Sequence, residues 1–410
     1  MRRIVIVHQH TNNFGDDAAG SALLTSLFDT LDPDQIDVFY IWHRGGQGLP
    51  TSDPRVRHHF LAALDGTRDR RPELAVRTAM TLPSARLATG DLGELVRACR
   101  GASAVIVAPA GSNIGLYKDW TYLLALVTLV RSGVRPIFCQ NTVAASFSRP
   151  FDALAKYVLK RSTVFVREQA SLAYLKELKI SAALGVDTAL AVSPEDPMVH
   201  TRPYLAVIPT RLANWHRDHR SFHDMDFLGA TLPDAIADVA DAAGFDVRVI
   251  AHLYGSEDEG SALGTLRDHL LARGCSAEVV VPESHRAYAS ALAGARATVS
   301  MRYHGLVLSG LAGVPCVALA YENKMCEAAR YLRQETLLVD VHTATRHDIR
   351  TRLQQAIALS EEERGELAEA SSTLRVVARQ PVHHLAHAFG LQERPPAAWP
   401  GPPLSGARGA

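Results

Sequence analysis

The sequence predicts an α/β protein of two doubly wound parallel-sheet (Rossmann-like) domains facing each other across a cleft. Three observations carry that reading. Short apolar runs alternate with helix-length segments along both halves. A chain of 410 residues exceeds what one ordinary core accommodates. An aperiodic stretch, Thr188–Pro203, with Pro194 and Pro197 at its centre, separates the two alternations. The expected division is an N-terminal domain over 1–190, with an insertion at about 43–90, and a C-terminal domain over 204–390. The Pro/Gly/Ala-rich end, 391–410, is expected to be disordered.

In the first half, Ile4–Val7 reads as a buried strand, His8–Asp17 as its exit loop, and Ala18–Leu31 as a helix. Gly15 permits the turn, and Asp16 or Asp17 is placed to cap the helix; the same loop position also suits a ligand. Asp37–Trp42 is a second strand. After the insertion come helix Asp91–Arg100, strand Ala104–Ala108, the small-residue loop Pro109–Gly115, and an apolar helix from Trp120. That loop holds Gly111, Ser112 and Asn113 but matches neither dinucleotide nor P-loop glycine pattern. Strand Pro136–Gln140, a helix near Phe151–Lys160, strand Thr163–Val166, helix Gln169–Lys179 and strand Ala183–Val186 complete this half. Arg167 follows an apolar strand directly, where it either pairs with Glu168 or a neighbouring helix, or binds an anion. Asp187 caps a turn or faces the cleft.

The second half repeats the pattern: strands at Tyr204–Ile208, Val247–Leu253 and Ala277–Val281, with helices at Leu232–Ala243, Ser261–Ala272 and His285–Ala293. The run Ala297–Lys324 follows. It delivers Ser300, Met301, Arg302, Tyr303 and His304 to a turn, then a small-residue helix, then strand Val314–Tyr321. Core packing does not call for a guanidinium and an imidazole between two buried elements, whereas open α/β sheets bind ligands outside the carboxyl ends of their strands. In an extended turn both side chains leave on one side. Helix Lys324–Arg333, strand Leu337–Val339 and one long helix from His347 to about Arg379 close the chain.

Lysine plus arginine and aspartate plus glutamate are both 43, so no global basic field recruits nucleic acid. The five cysteines are widely spaced without a CxxC pair, which fits a reducing cytoplasm and no zinc or redox dithiol. No apolar run has signal-peptide or transmembrane length, and no metal-binding constellation is visible. Trp215, with His216 and Arg217, either stacks on a sugar or anchors a loop. Arg68–Arg71 either forms a solvated face or makes peripheral contact with an anionic membrane surface.

With these residues in view, the chain resembles the polysaccharide pyruvyltransferase family, whose fold is related to the two-domain GT-B glycosyltransferases. The resemblance runs from Ile4 to about Lys324. Ser300-Met301-Arg302-Tyr303-His304-Gly305, continued by Gly313-Val314-Pro315, is similar to the family's S-x-R-x-H block and its G-[VI]-P continuation. Asn13-Phe14-Gly15-Asp16 is similar to N-x-G-D, Val166-Arg167-Glu168-Gln169-Ala170-Ser171 to V-R-[DE]-x-x-S, and Gly185-Val186-Asp187 to G-x-D. Ala110-Gly111-Ser112-Asn113 departs from the family's usual G-G-G-type loop.

The resemblance implies transfer of pyruvate from phosphoenolpyruvate to hydroxyls of a saccharide or glycoconjugate, usually as a cyclic ketal, with no cofactor besides that donor. The residues suit such a donor: Arg167 and Arg302 as anion clamps, Lys324 as a third cation, and His304 as general acid. Asp16 or Asp187 would serve as base. Asn13, Gly15, Gly111, Ser112 and Asn113 are the loop residues that would bind substrate, the N-terminal domain lying on the acceptor side and the C-terminal domain on the phosphoenolpyruvate side. Two rival readings share the architecture: a GT-B-like glycosyltransferase using a nucleotide sugar, and a silent binding protein that keeps the cleft. Glu322 and Glu327 are only five apart, unlike an E-x7-E nucleotide-sugar signature.

Overall fold

The computed structural model describes residues 2–43, 46–62, 90–193, 196–198, 200–212, 222–254 and 257–391. Most of the insertion, with Arg68–Arg71, lies outside them, as do Trp215–Arg217 and the tail from 392.

Both α/β units are present, each on an all-parallel sheet. The first carries strands β1 (Arg3–Thr11), β2 (Gln35–His43), β3 (Val56–His59), β4 (Ala104–Val107), β5 (Ile137–Asn141), β6 (Thr163–Val166) and β7 (Ala183–Leu184), in the order β3-β2-β1-β4-β5-β6-β7. Its described helices are α1 (Phe14–Leu31), α2 (Gly90–Arg100), α3 (Trp120–Arg131), α4 (Arg149–Leu159) and α5 (Gln169–Glu177). Parallel strands covered on both faces read as continuous apolar runs rather than alternations, and Ile4–Val7 and Ala104–Val107 are buried throughout.

The second unit carries β8 (Tyr204–Ile208), β9 (Asp246–Ile250), β10 (Ala277–Val280), β11 (Ala297–Ser300), β12 (Cys316–Ala320) and β13 (Leu338–Asp340), in the order β10-β9-β8-β11-β12-β13. Its main helices are α6 (Leu232–Ala243), α7 (Glu257–Ala272), α8 (His285–Ala293), α9 (Tyr303–Leu311), α10 (Asn323–Tyr331) and α11 (Arg346–Ala358). The order turns back between β8 and β11, so the carboxyl end of β11 is a topological switch point, where such sheets take their ligands.

Two segments cross the division expected at 190 and 204. Asn13–Ala18, the start of α1, clusters with the second unit, and Val376–Leu391 clusters with the first. The physical reasons are local. The Phe14 N–H donates to the His252 carbonyl (3.1 Å), while Val382, Leu385 and Ala386 sit in one apolar core with Ile4, Ile6 and Leu27. The single helix expected over 347–379 is broken into α11 and α12 (Glu361–Ala378), and α13 (Gln380–Ala388) follows. At the break, Ser360 Oγ and the Glu363 carboxylate exchange hydrogen bonds with each other's backbone amide, a capping box that restarts the helix.

Candidate functional site

The turn after β11 is built by Ser300. Its Oγ accepts from the Arg302 N–H (3.0 Å) and donates to the Arg302 carbonyl (2.8 Å). A Cβ on Gly305 would lie 2.2 Å from that hydroxyl, so the residue after His304 must be glycine. Arg302 is extended (φ −112°, ψ 132°), but α9 already begins at Tyr303, so His304 leaves from a helix rather than from an extended turn. The same-side argument from sequence therefore does not apply. Both side chains are nonetheless buried, Arg302 at 4% and His304 at 8% exposure.

The start of α1 lies against this turn within the same unit. Asn13 is its cap: its Oδ1 accepts from the Asp16 N–H (2.8 Å), and its Nδ2 donates to the Asp16 carboxylate (2.6 Å). Asp16 and Asp17 thus stand in the first turn rather than at the cap, where their charge complements the helix N-terminus. A Cβ on Gly15 would come within 2.0 Å of His304 Nδ1, so the imidazole lies directly on the glycine backbone. An antiparallel bridge pairs Asn13 with Leu253 at the exit of β9. The Tyr254 hydroxyl donates to the Asp17 carboxylate.

Three residues that the sequence did not single out complete this cluster. His252 leaves β9 beside its neighbour β8 and stacks near-parallel with His304 (6.2 Å between ring centres, 18°). Its Nδ1 contacts the Tyr288 hydroxyl at 3.1 Å. Burial, then the charges of Arg302 and His304, hold its pKa well below 6.5, so the ring is neutral. The Glu259 carboxylate accepts from the His252 and Leu253 amides (3.1 and 2.6 Å) and stands 3.6 Å from the Arg302 guanidinium. Burial raises its pKa, opposed by Arg302 and the two amides. The strand expected over Val247–Leu253 encloses His252; β9 ends at Ile250, and only with that shorter strand does His252 stand past a carboxyl end as Arg302 does.

Lys324 opens α10 after β12 and is buried, with Nζ 2.8 Å from the Glu322 carboxylate and 6.0 Å from the rings of Tyr303 and Tyr321. It therefore shares Tyr303 with His304, which meets that ring edge-on at 5.1 Å.

The remaining predicted residues belong to the first unit. Arg167 is 4% exposed; its guanidinium pairs with Asp187, lies 3.8 Å from Glu168, and donates to Thr142 Oγ1 (3.2 Å). Asp187 also accepts from the Ala189 amide (2.8 Å), capping a short 3-10 turn. Both its oxygens are thus engaged, one by the guanidinium and one by a backbone amide. Ser112 Oγ accepts from the Leu116 amide (3.2 Å), and Asn113 donates to Asp119 (3.1 Å), the cap of α3; both close their own loop. Gly111 faces the Tyr117 ring at 3.4 Å from where a Cβ would stand. Among the described residues no group of three or more His, Cys, Asp or Glu side chains could hold a metal ion, and no helix is long and apolar enough to cross a membrane.

Comparison with known proteins gives a family and a fold. The family model described as polysaccharide pyruvyl transferase matches residues 13–323. No curated protein sequence matches. Among solved structures, S. aureus MnaA in a UDP co-structure superposes with a TM-score of 0.63 at 11% identity, covering 97% of this chain and 100% of that one. The UDP-GlcNAc 2-epimerase from Neisseria meningitidis bound to UDP-GlcNAc gives 0.54 at 12% identity, covering 91% and 98%. Sucrose-phosphate synthase from Thermosynechococcus elongatus gives 0.54 at 15% identity, covering 96% and 100%. At these identities the likeness is one of fold.

Proposed function

The chain belongs to the polysaccharide pyruvyl transferase family, and on that premise we propose that it moves the pyruvyl group of phosphoenolpyruvate onto hydroxyls of a saccharide or glycoconjugate, forming a pyruvate ketal. The observation that carries this reading is the His304 imidazole, seated on Gly15 and stacked on His252, whose ring also feels the buried Arg302 guanidinium, at the switch point of the second sheet. A planar guanidinium grips phosphate or carboxylate bidentately, and Lys324 adds a point charge nearby. Arg167, buried against Asp187 within the first unit, is proposed separately as an anion-binding residue of that unit.

The chemistry divides as follows. His304 protonates the methylene carbon of the enol phosphate, and the cationic character that develops at C2 draws in an acceptor hydroxyl. Attack forms the first C–O bond, and that hydroxyl gives up its proton. A second hydroxyl then closes the ketal as the C2–O bond to phosphate breaks; inorganic phosphate leaves with the electron pair. Two hydroxyl protons are lost, one balancing the new methyl group and one the phosphate. Asp16, half-buried in the first turn of α1, is the better base. Asp187, engaged by Arg167 and the Ala189 amide, orients that arginine instead.

The fold is shared with enzymes solved with UDP or UDP-GlcNAc, so architecture alone does not select the donor. Calorimetry against phosphoenolpyruvate and against UDP-GlcNAc separates the readings. Binding of phosphoenolpyruvate without UDP-GlcNAc is expected; the reverse would favour a glycosyltransferase. Binding of neither would favour a silent scaffold. The reaction needs a cytoplasmic donor, which fits the cytoplasmic location proposed from the cysteines.

A further inference from the structure

We infer that Glu259 is the positioning residue of the donor site: one buried carboxylate that fixes both the Arg302 guanidinium and the bed on which His304 rests. The inference rests on the reading of Arg302 and His304 as the phosphoenolpyruvate-binding pair, and it names a residue outside every motif of the family resemblance.

Glu259 stands in the first turn of α7 and is 4% exposed. A carboxylate so far withdrawn from water needs donors on both oxygens. The His252 amide donates to Oε1 at 3.1 Å and the Leu253 amide to Oε2 at 2.6 Å. Both amides belong to the exit of β9, the strap that carries the start of α1. Leu253 bridges Asn13, and the His252 carbonyl accepts from the Phe14 amide. Holding that strap holds Gly15 against His304.

The same carboxylate faces Arg302 at 3.6 Å, longer than a direct hydrogen bond, so its charge steers the guanidinium without engaging it as a short bidentate fork. A neutral acceptor would serve the two amides. The negative charge serves the arginine. Replacement by glutamine removes that charge and turns an NH2 group toward one of two amide donors.

The test uses the full chain, phosphoenolpyruvate as titrant in calorimetry, steady-state phosphate release, and thermal melting. Glu259→Gln should raise KM and Kd for phosphoenolpyruvate at least about tenfold, with acceptor KM unchanged and only the modest loss of Tm that one buried amide left facing an NH2 group brings. Glu259→Asp, which keeps the charge, should recover part of that affinity. In a double-mutant cycle, Glu259→Gln should add little to Arg302→Lys, because it acts through the arginine. Where the glutamine variant does not fold, Glu259→Asp carries the cycle. Unchanged donor affinity, full additivity with Arg302→Lys, or parallel loss of Tm, donor and acceptor affinity would overturn the inference. A wild-type protein that does not bind phosphoenolpyruvate overturns the underlying reading, and this inference with it.

Discussion

Gly15 and His304 compete for one volume: a Cβ on Gly15 would stand 2.0 Å from Nδ1 and 2.2 Å from Cγ of the imidazole. Gly15 lies inside α1, where alanine is ordinarily favoured over glycine by about 0.5–1 kcal/mol. Gly15→Ala should therefore leave the helix intact while pushing the ring aside. The expected outcome is near-wild-type Tm with turnover reduced at least about a hundredfold, the usual worth of a positioned acid. Wild-type turnover would show that His304 has no need of that bed.

Arg302 is extended at the exit of β11 and buried, with the Glu259 carboxylate 3.6 Å from its guanidinium. Arg302→Lys keeps the charge but loses the planar pair of donors. Its main effect should be a raised Kd for phosphoenolpyruvate in calorimetry, with circular dichroism unchanged. Equal affinity would remove Arg302 as a clamp.

Asp187 offers a contrast between orienting and proton-accepting roles. As the buried partner of Arg167, its removal leaves a charge without its counter-ion, so Asp187→Asn should destabilise the protein by about 3–5 kcal/mol in chemical denaturation. A base without a structural role would instead lose turnover at unchanged stability.

Two groups of titrations set how stability changes with pH. Burial alone would raise the Asp37 pKa, but hydrogen bonds from His59, Arg3 and Gln35 bring it down to about 2 from 3.8. Its contribution is present above 3.8 and is lost as pH falls through about 2. The hydrogen bond to Asp37 raises the His59 pKa above 6.5, so that contribution is full below 6.5 and fades as pH rises through the raised value. Buried His8, pushed down to about 3 by burial and then by His10, acts oppositely: it is neutral when folded, so stability is lost as pH falls from 6.5 towards 3. His59→Asn should flatten the alkaline fall of Tm near neutrality, and His8→Phe should flatten the fall below 6.5. Unaltered pH profiles would refute both assignments.

The sheets were legible because doubly covered parallel strands leave uninterrupted apolar runs, and the Arg302–His304 turn because charge at the end of such a run has no packing purpose. The capping box at Ser360 and Glu363 was also written in the sequence, hidden inside a continuous helical period. The contact between Gly15 and His304 was not legible. It joins two motifs far apart in the chain and depends on α1 starting against the exit of β9. Glu259 escaped notice because an acidic residue in the first turn of a helix looks like ordinary dipole compensation until the amides it accepts are seen. At Asp187 the turn cap that the sequence allowed is present, but the guanidinium of Arg167 beside it was not legible, because it comes from a strand exit twenty residues earlier.

The most direct test is phosphate release from phosphoenolpyruvate in the presence of a panel of saccharides, with the products examined by mass spectrometry for a pyruvyl ketal. The wild-type chain should release phosphate in step with ketal formation on at least one acceptor. His304→Gln, still folded and still binding phosphoenolpyruvate, should do so at least about a hundredfold more slowly. Phosphate release without ketal, or a His304→Gln enzyme as fast as wild type, would contradict the account.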